Sequence, residues 1–138
     1  MNKLVIGNLK MNISDLQERE RYFALFKKAM NGEGLDNTEI VLCPPHVHLE
    51  AFLKSFGREV HPVEYAEKRR PPKAEFNRVK IGAQNAFWEN KGSFTGEISM
   101  AMVKNLGGEY VILGHSERRR YFCENNAEIN LKVLAALK

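Results

Sequence analysis

Four times in 138 residues a short run of branched or aliphatic side chains gives way to a segment with helical spacing, and this alternation constrains the fold more than any other feature. The runs are Leu4-Val5-Ile6-Gly7, Glu39-Ile40-Val41-Leu42-Cys43, the stretch 79–85 that opens Val79-Lys80-Ile81, and Tyr110-Val111-Ile112-Leu113. A continuous apolar run suits a parallel strand covered on both faces. Between and after them, four sets recur at helical spacing: Leu16, Tyr22, Phe23, Phe26 and Met30; Leu49, Phe52, Leu53 and Phe56; Ile98, Met102, Val103 and Leu106; Ile129, Val133, Leu134 and Leu137. Gly32, Gly57 and Gly107-Gly108 supply stop signals. Ser14 and Gln17 have capping-box spacing before the first helix, and Asn125 or Asn126 caps the last. Four strand-helix units in succession imply an α/β protein with a parallel sheet and right-handed crossovers. The pattern leaves open whether that sheet is flat or curved into a barrel.

The fourth run stops at Gly114 and is followed at once by His115-Ser116-Glu117-Arg118-Arg119. Parallel sheets bind ligands at the C-terminal ends of their strands, so His115 is the first candidate for catalysis. Ser116 and Glu117 resemble the opening of a short helix, whose free N–H groups favour a neutral imidazole that can still donate a hydrogen bond. Histidines placed singly are more often structural, so the neighbours matter. After the first strand comes Asn8-Leu9-Lys10-Met11-Asn12, a polar turn with one cation. The loop from Phe87 to Glu97 is long for a compact domain, and such loops tend to be functional.

Composition excludes several classes. Apolar residues make up 43% and charged residues 28%, as in ordinary globular chains, and no run reaches the roughly 18 apolar residues of a membrane helix. The length suits one domain, 1–138. The N-terminus enters a strand directly and lacks signal-peptide features, which points to the cytoplasm. Cys43 and Cys123 lack metal-type spacing, and His46 and His48 would fall on different helix faces, so no metal site is expected. A net charge of +4 suits an acidic partner or a phosphorylated substrate without choosing between them.

Periodicity fails over 58–78, which contains Pro62, Lys68-Arg69-Arg70 and Pro71-Pro72 and reads as an irregular basic insertion. Polyanion binding there is one option. The lack of a stacking platform of aromatic residues among the basic ones argues against nucleic acid and for a solvated excursion.

The segments Asn8-Leu9-Lys10-Met11-Asn12, Gly82-Ala83-Gln84-Asn85, Gly92-Ser93-Phe94-Thr95-Gly96-Glu97-Ile98-Ser99 and 111–119 resemble, in this order, those of triosephosphate isomerases. The resemblance implies a TIM (β/α)8 barrel that interconverts dihydroxyacetone phosphate and glyceraldehyde 3-phosphate with no cofactor. By the same resemblance Lys10 neutralises charge on substrate and enediolate, Asn8 helps hold the substrate, and His115 is a neutral electrophile polarising the carbonyl. Glu117 orients Lys10, and Ser116 supports the imidazole. Family dimers insert the loop after the third strand into a neighbour, which implies that Thr95 approaches the other chain and that Glu97 pairs with Arg118 across the interface. Leu9 stands where many members have Trp.

A complete barrel takes about 250 residues, and these 138 hold four units. The Tyr-Glu-Pro-Val-Trp-like context of the family's general base does not occur, nor do the phosphate loops of the later strands. The expectation is therefore half of a TIM barrel, with the first and fourth strands as open edges that need a partner. Three functions follow: the N-terminal half of a split isomerase completed by a C-terminal half-barrel chain, an inactive half-barrel that pairs with a second copy of itself, or a polyanion-binding module.

Overall fold

In a computed structural model, residues 3–30, 37–56, 76 and 78–138 are described. They form β1 (Lys3–Asn8), α1 (Leu16–Met30), β2 (Thr38–Cys43), a 3-10 turn (His46–His48), α2 (Leu49–Phe56), β3 (Val79–Ala83), α3 (Met100–Leu106), β4 (Tyr110–Val111), α4 (Ser116–Tyr121) and α5 (Asn126–Ala136). All pairings are parallel and the strand order is β1-β2-β3-β4. Each crossover moves one strand further in the same direction, without the reversal that marks a doubly wound open sheet. The sheet is the curled half of a TIM barrel, as the resemblance implies.

Register assigns the two faces. Ile40 and Leu42 share one side with Val79, Ile81 and Ala83, and this side packs on Phe23, Phe52, Leu53 and Phe56 of α1 and α2. The aromatic rings there meet mostly edge to face, with Phe23 and Phe52 at 4.8 Å and Phe23 and Phe56 at 5.0 Å. All four apolar positions expected in the second helix are buried. The other face, which would be a barrel's interior, carries Ile6 and Asn8 of β1, Val41 and Cys43 of β2, Lys80 and Gly82 of β3 and Tyr110 of β4. A Cβ on Gly82 would lie 2.8 Å from Cys43 Sγ and 2.9 Å from Tyr110 Cβ, so only glycine lets β2 and β4 close in here.

The edges are exposed. Leu4, Val5 and Ile6 of β1 are 52%, 54% and 53% accessible, although their neighbours across the pairing in β2 are mostly buried. The run 110–113 does not form a fully covered strand: only Tyr110 and Val111 are in β4, and 110–113 are half-buried. An edge strand has one neighbour instead of two, which explains both features.

The cap of the first helix and the buried faces of α3 and α5 differ from the expected ones. Asp15, not Ser14, caps α1: its carboxylate accepts the Glu18 N–H at 2.8 Å, while Glu18 reaches back to the N–H and hydroxyl of Ser14 at 2.8 and 2.9 Å. Glu18 thus takes the place expected of Gln17, but its carboxylate serves Ser14 and not the Asp15 N–H, so the expected reciprocal box is only half formed. In α5 the capping box joins Asn125 and Glu128. The apolar stripe there is not the buried one, since Val133, Leu134 and Leu137 are exposed and Lys132 is buried. Likewise α3 buries Val103 and leaves Met102 and Leu106 exposed. The basic insertion at 58–78 lies almost wholly outside the described residues.

Candidate active site

The C-terminal end of β1 turns through a left-handed residue that is not glycine. Lys10 has φ 52°, a conformation that costs a side-chain-bearing residue about 1–2 kcal/mol. Local hydrogen bonds over-determine it. The Lys10 N–H donates to Asn8 Oδ1 at 3.0 Å, Asn12 Nδ2 donates to the Leu9 carbonyl at 2.9 Å, and Gln84 Nε2 donates to the carbonyls of Lys10 and Cys43 at 2.8 and 2.9 Å. One amide at the end of β3 thus ties the turn after β1 to the end of β2. The result is an ammonium aimed along the rim of the sheet.

At β4 the chain leaves through Gly114, φ 65°, where a Cβ would sit 3.0 Å from Ile129 of α5. His115 is the N-cap of α4, and its Nδ1 accepts the Glu117 N–H at 3.2 Å. An Nδ1 that accepts leaves the proton of a neutral ring on Nε2, and this tautomer is assigned from the hydrogen bond. The same carboxylate approaches both groups: Glu117 Oε1 lies 2.7 Å from Lys10 Nζ, and Oε2 lies 3.5 Å from His115 Nδ1. The hydrogen bond from Lys10 is the main cause that holds the Glu117 carboxyl below its ordinary range, with the charge of Lys10 adding to it against the opposing effect of burial.

This contact also reports curvature. β1 and β4 are the outer strands of the sheet, three spacings or about 14 Å apart if the sheet were flat. The contact between the Lys10 and Glu117 side chains fits a sheet that curls the ends of its outer strands towards each other.

A second network fastens α4 and α5 beneath the site. Glu124, buried just after α4, meets Lys132 of α5 and accepts Arg118 Nε at 3.3 Å, and Lys132 Nζ donates to Asn85 Oδ1 at 3.0 Å. Asn85 in turn has its carbonyl 2.9 Å from His46 Nε2. His48 instead meets the Ile13 carbonyl at 3.2 Å, so the two histidines serve separate backbone groups. No group of three potential metal ligands occurs among the described residues.

The structure therefore brings Lys10, His115 and Glu117 together, with Asn8 holding the Lys10 turn from its place on the interior face. Ser116 is exposed at the start of α4. Thr95 and Glu97 lie apart, exposed in the 84–99 loop, which a Phe87–Ser99 bridge closes at its base and the Phe87, Trp88 and Phe94 rings fill. Arg118 is held by Glu124 within the chain. Sequence reasoning gave no role to Glu124 and Lys132, and quoted Gln84 and Asn85 only as part of a family segment. A polar Gln-Asn pair at a strand's C-terminal end was the available signal for the latter two.

A parallel half-barrel with an ammonium, an imidazole and a carboxylate gathered at the C-terminal ends of its outer strands has the architecture of the (β/α)8-barrel class. A profile of the triosephosphate isomerase family matches residues 3–138. Triosephosphate isomerase of Gloeothece citriformis is 39% identical over the whole chain, that of Dictyoglomus turgidum 38% over 99% of it, and that of Moorella thermoacetica 35% over 98%. The chain belongs to the triosephosphate isomerase family. It spans about half the length of these curated relatives, 49%, 46% and 45% respectively.

Proposed function

We propose that this chain supplies the electrophilic half of a triosephosphate isomerase site, and that a second half-barrel supplies the general base and the phosphate loops. The observation that supports it best is the Lys10–Glu117 ion pair set beside His115, whose Nδ1 accepts the Glu117 N–H, at the strand ends. In this reading the substrate carbonyl of dihydroxyacetone phosphate lies against His115 Nε2–H and Lys10 Nζ. Removal of a carbon-bound proton next to that carbonyl puts negative charge on its oxygen, and both donors strengthen as the charge grows. A neutral imidazole in this role is the assignment made for triosephosphate isomerases generally. Glu117 fixes the ammonium in advance, so little reorganisation accompanies the charge development. Asn8 acts through the turn that presents Lys10.

Among the described carboxylates near the rim, Glu117 is committed to Lys10 and Glu124 to Lys132 and Arg118. Neither is free to abstract a proton, and the base is assigned to the second half-barrel. The half-exposed Leu4, Val5 and Ile6 at the open edge support the same division. Thr95, Glu97 and Arg118 are assigned to contacts between copies of the completed barrel. Isomerisation of dihydroxyacetone phosphate, measured for this chain with and without a C-terminal half-barrel, tests the reading: activity only in the mixture supports it, and a folded but inactive mixture overturns it.

A further inference from the structure

The interior face carries a carboxylate that the site does not use. Glu39 is paired in register with Leu4 and stands two residues before Val41, on the same side of the sheet. It is half-buried, and the Tyr110 hydroxyl donates to its Oε1. That hydrogen bond is the first cause that pushes the Tyr110 phenol above its ordinary range, as expected for a neutral donor facing an ionised acceptor. Lys80 is the one cation among the described strand residues of this face, and Glu109 holds it with both oxygens, at 3.1 and 2.9 Å. Glu39 thus has a neutral donor and no cation among the described residues.

Closing a barrel over this face takes Glu39 out of water. An enclosed carboxylate without a counter-charge is strongly disfavoured, so a half-barrel offering only apolar side chains at this level is opposed. We propose that the half-barrel which closes this one bears an Arg or Lys on its own interior face opposite Glu39, and that the pair selects the partner. A second copy fits less well, because it adds another Glu39 and a Lys80 that already has its anion. The proposal rests on the barrel-closing reading above and specifies the chemistry of the partner in it.

Glu39→Gln tests it, because the amide keeps the oxygen that accepts from Tyr110 and removes only the charge. The probe is the C-terminal half of the Gloeothece citriformis relative, added to the full 138-residue chain, with the dissociation constant read by calorimetry. Glu39→Gln is expected to weaken association by about 30-fold or more, the scale of breaking one side of an enclosed charge pair. Tyr110→Phe, which keeps the carboxylate, is expected to stay within about 3-fold because the Tyr110–Glu39 bond lies within this half and is made with or without the partner. Neutralising the partner's interior Arg and Lys residues singly should reveal one whose loss matches that of Glu39→Gln and does not add to it. The single losses on the partner, read against the unaltered 138-residue chain, still identify such a cation if Glu39→Gln disturbs folding. Association unchanged or tightened by Glu39→Gln, with no coupled cation on the partner, overturns the inference alone. Failure of the unaltered chain to associate removes the barrel-closing reading as well.

Discussion

The Lys10 ammonium and the Glu117 carboxylate, 107 positions apart in the chain, meet at 2.7 Å. Their contact joins the turns after the two outer strands of the curled sheet. Fold and site are therefore coupled: the curvature that begins a barrel also brings the ammonium beside the imidazole. Because Glu117 is held below the ordinary carboxylate range, the contact is present above that range and is lost as pH falls through the folded-state value.

Replacing His115 by Gln should leave association with a second half-barrel unchanged and cut turnover of the mixture by about 100-fold or more, the scale of losing a positioned acid-base or electrophilic group. Steady-state kinetics on the mixture check this. Undiminished turnover would show that His115 only caps α4.

Gln84→Ala removes the amide that ties the Lys10 carbonyl to that of Cys43. The left-handed turn then loses a restraint and the Cys43 carbonyl keeps only its Leu9 N–H donor, at a cost of about 1 kcal/mol. Urea denaturation should show that loss, and kcat of the mixture should fall more than KM changes because Lys10 is misplaced. A stability loss with unaltered kcat would make Gln84 structural only.

Lys132→Met leaves Glu124 buried with only Arg118 as a cation, and should destabilise the chain by about 3–5 kcal/mol near neutral pH. Burial pushes the Glu124 carboxyl up, but the hydrogen bonds and charges of Lys132 and then Arg118 outweigh it and hold it below 4.5. The stabilisation is thus fully present above 4.5 and is lost as pH falls through the folded-state value. The variant and the original chain should converge in stability as acid protonates Glu124. A gap of constant size from neutral pH to about pH 3 contradicts the assignment.

Much of this architecture was legible in the sequence, and the exceptions share a cause. Short apolar runs and helical spacing located each strand and most helices, because a core that buries Ile40, Leu42, Ile81, Phe52 and Phe56 imposes those periods directly. His115 and Lys10 stood out because each follows a strand. Periodicity failed in α5, where Lys132 is the buried residue: a charge is buried only when distant residues such as Glu124 and Asn85 satisfy it, and no local pattern records that. The same holds for Gln84, whose partners are 74 and 41 positions away. Periodicity left open whether the parallel sheet was flat or curved, since strand order is a property of pairing and not of any one segment, and only the family resemblance indicated the half-barrel.

The two thiols should differ sharply in reactivity. Cys43 is buried on the interior side and its thiol is pushed up to about 11 by burial, while Cys123 is exposed after α4. A soluble thiol reagent near neutral pH should label Cys123 at least about 100-fold faster than Cys43, since the thiolate is the reactive form. Mass spectrometry after timed labelling reads the ratio, and comparable rates would mean that β2 is not covered as described.

The most direct test of the account is a titration of this chain with a C-terminal half-barrel, following isomerisation of dihydroxyacetone phosphate. The account predicts negligible turnover by either half, and turnover that rises with added partner and saturates at one half per half. A one-to-one complex that is folded, binds a phosphorylated triose and yet shows no turnover would contradict it.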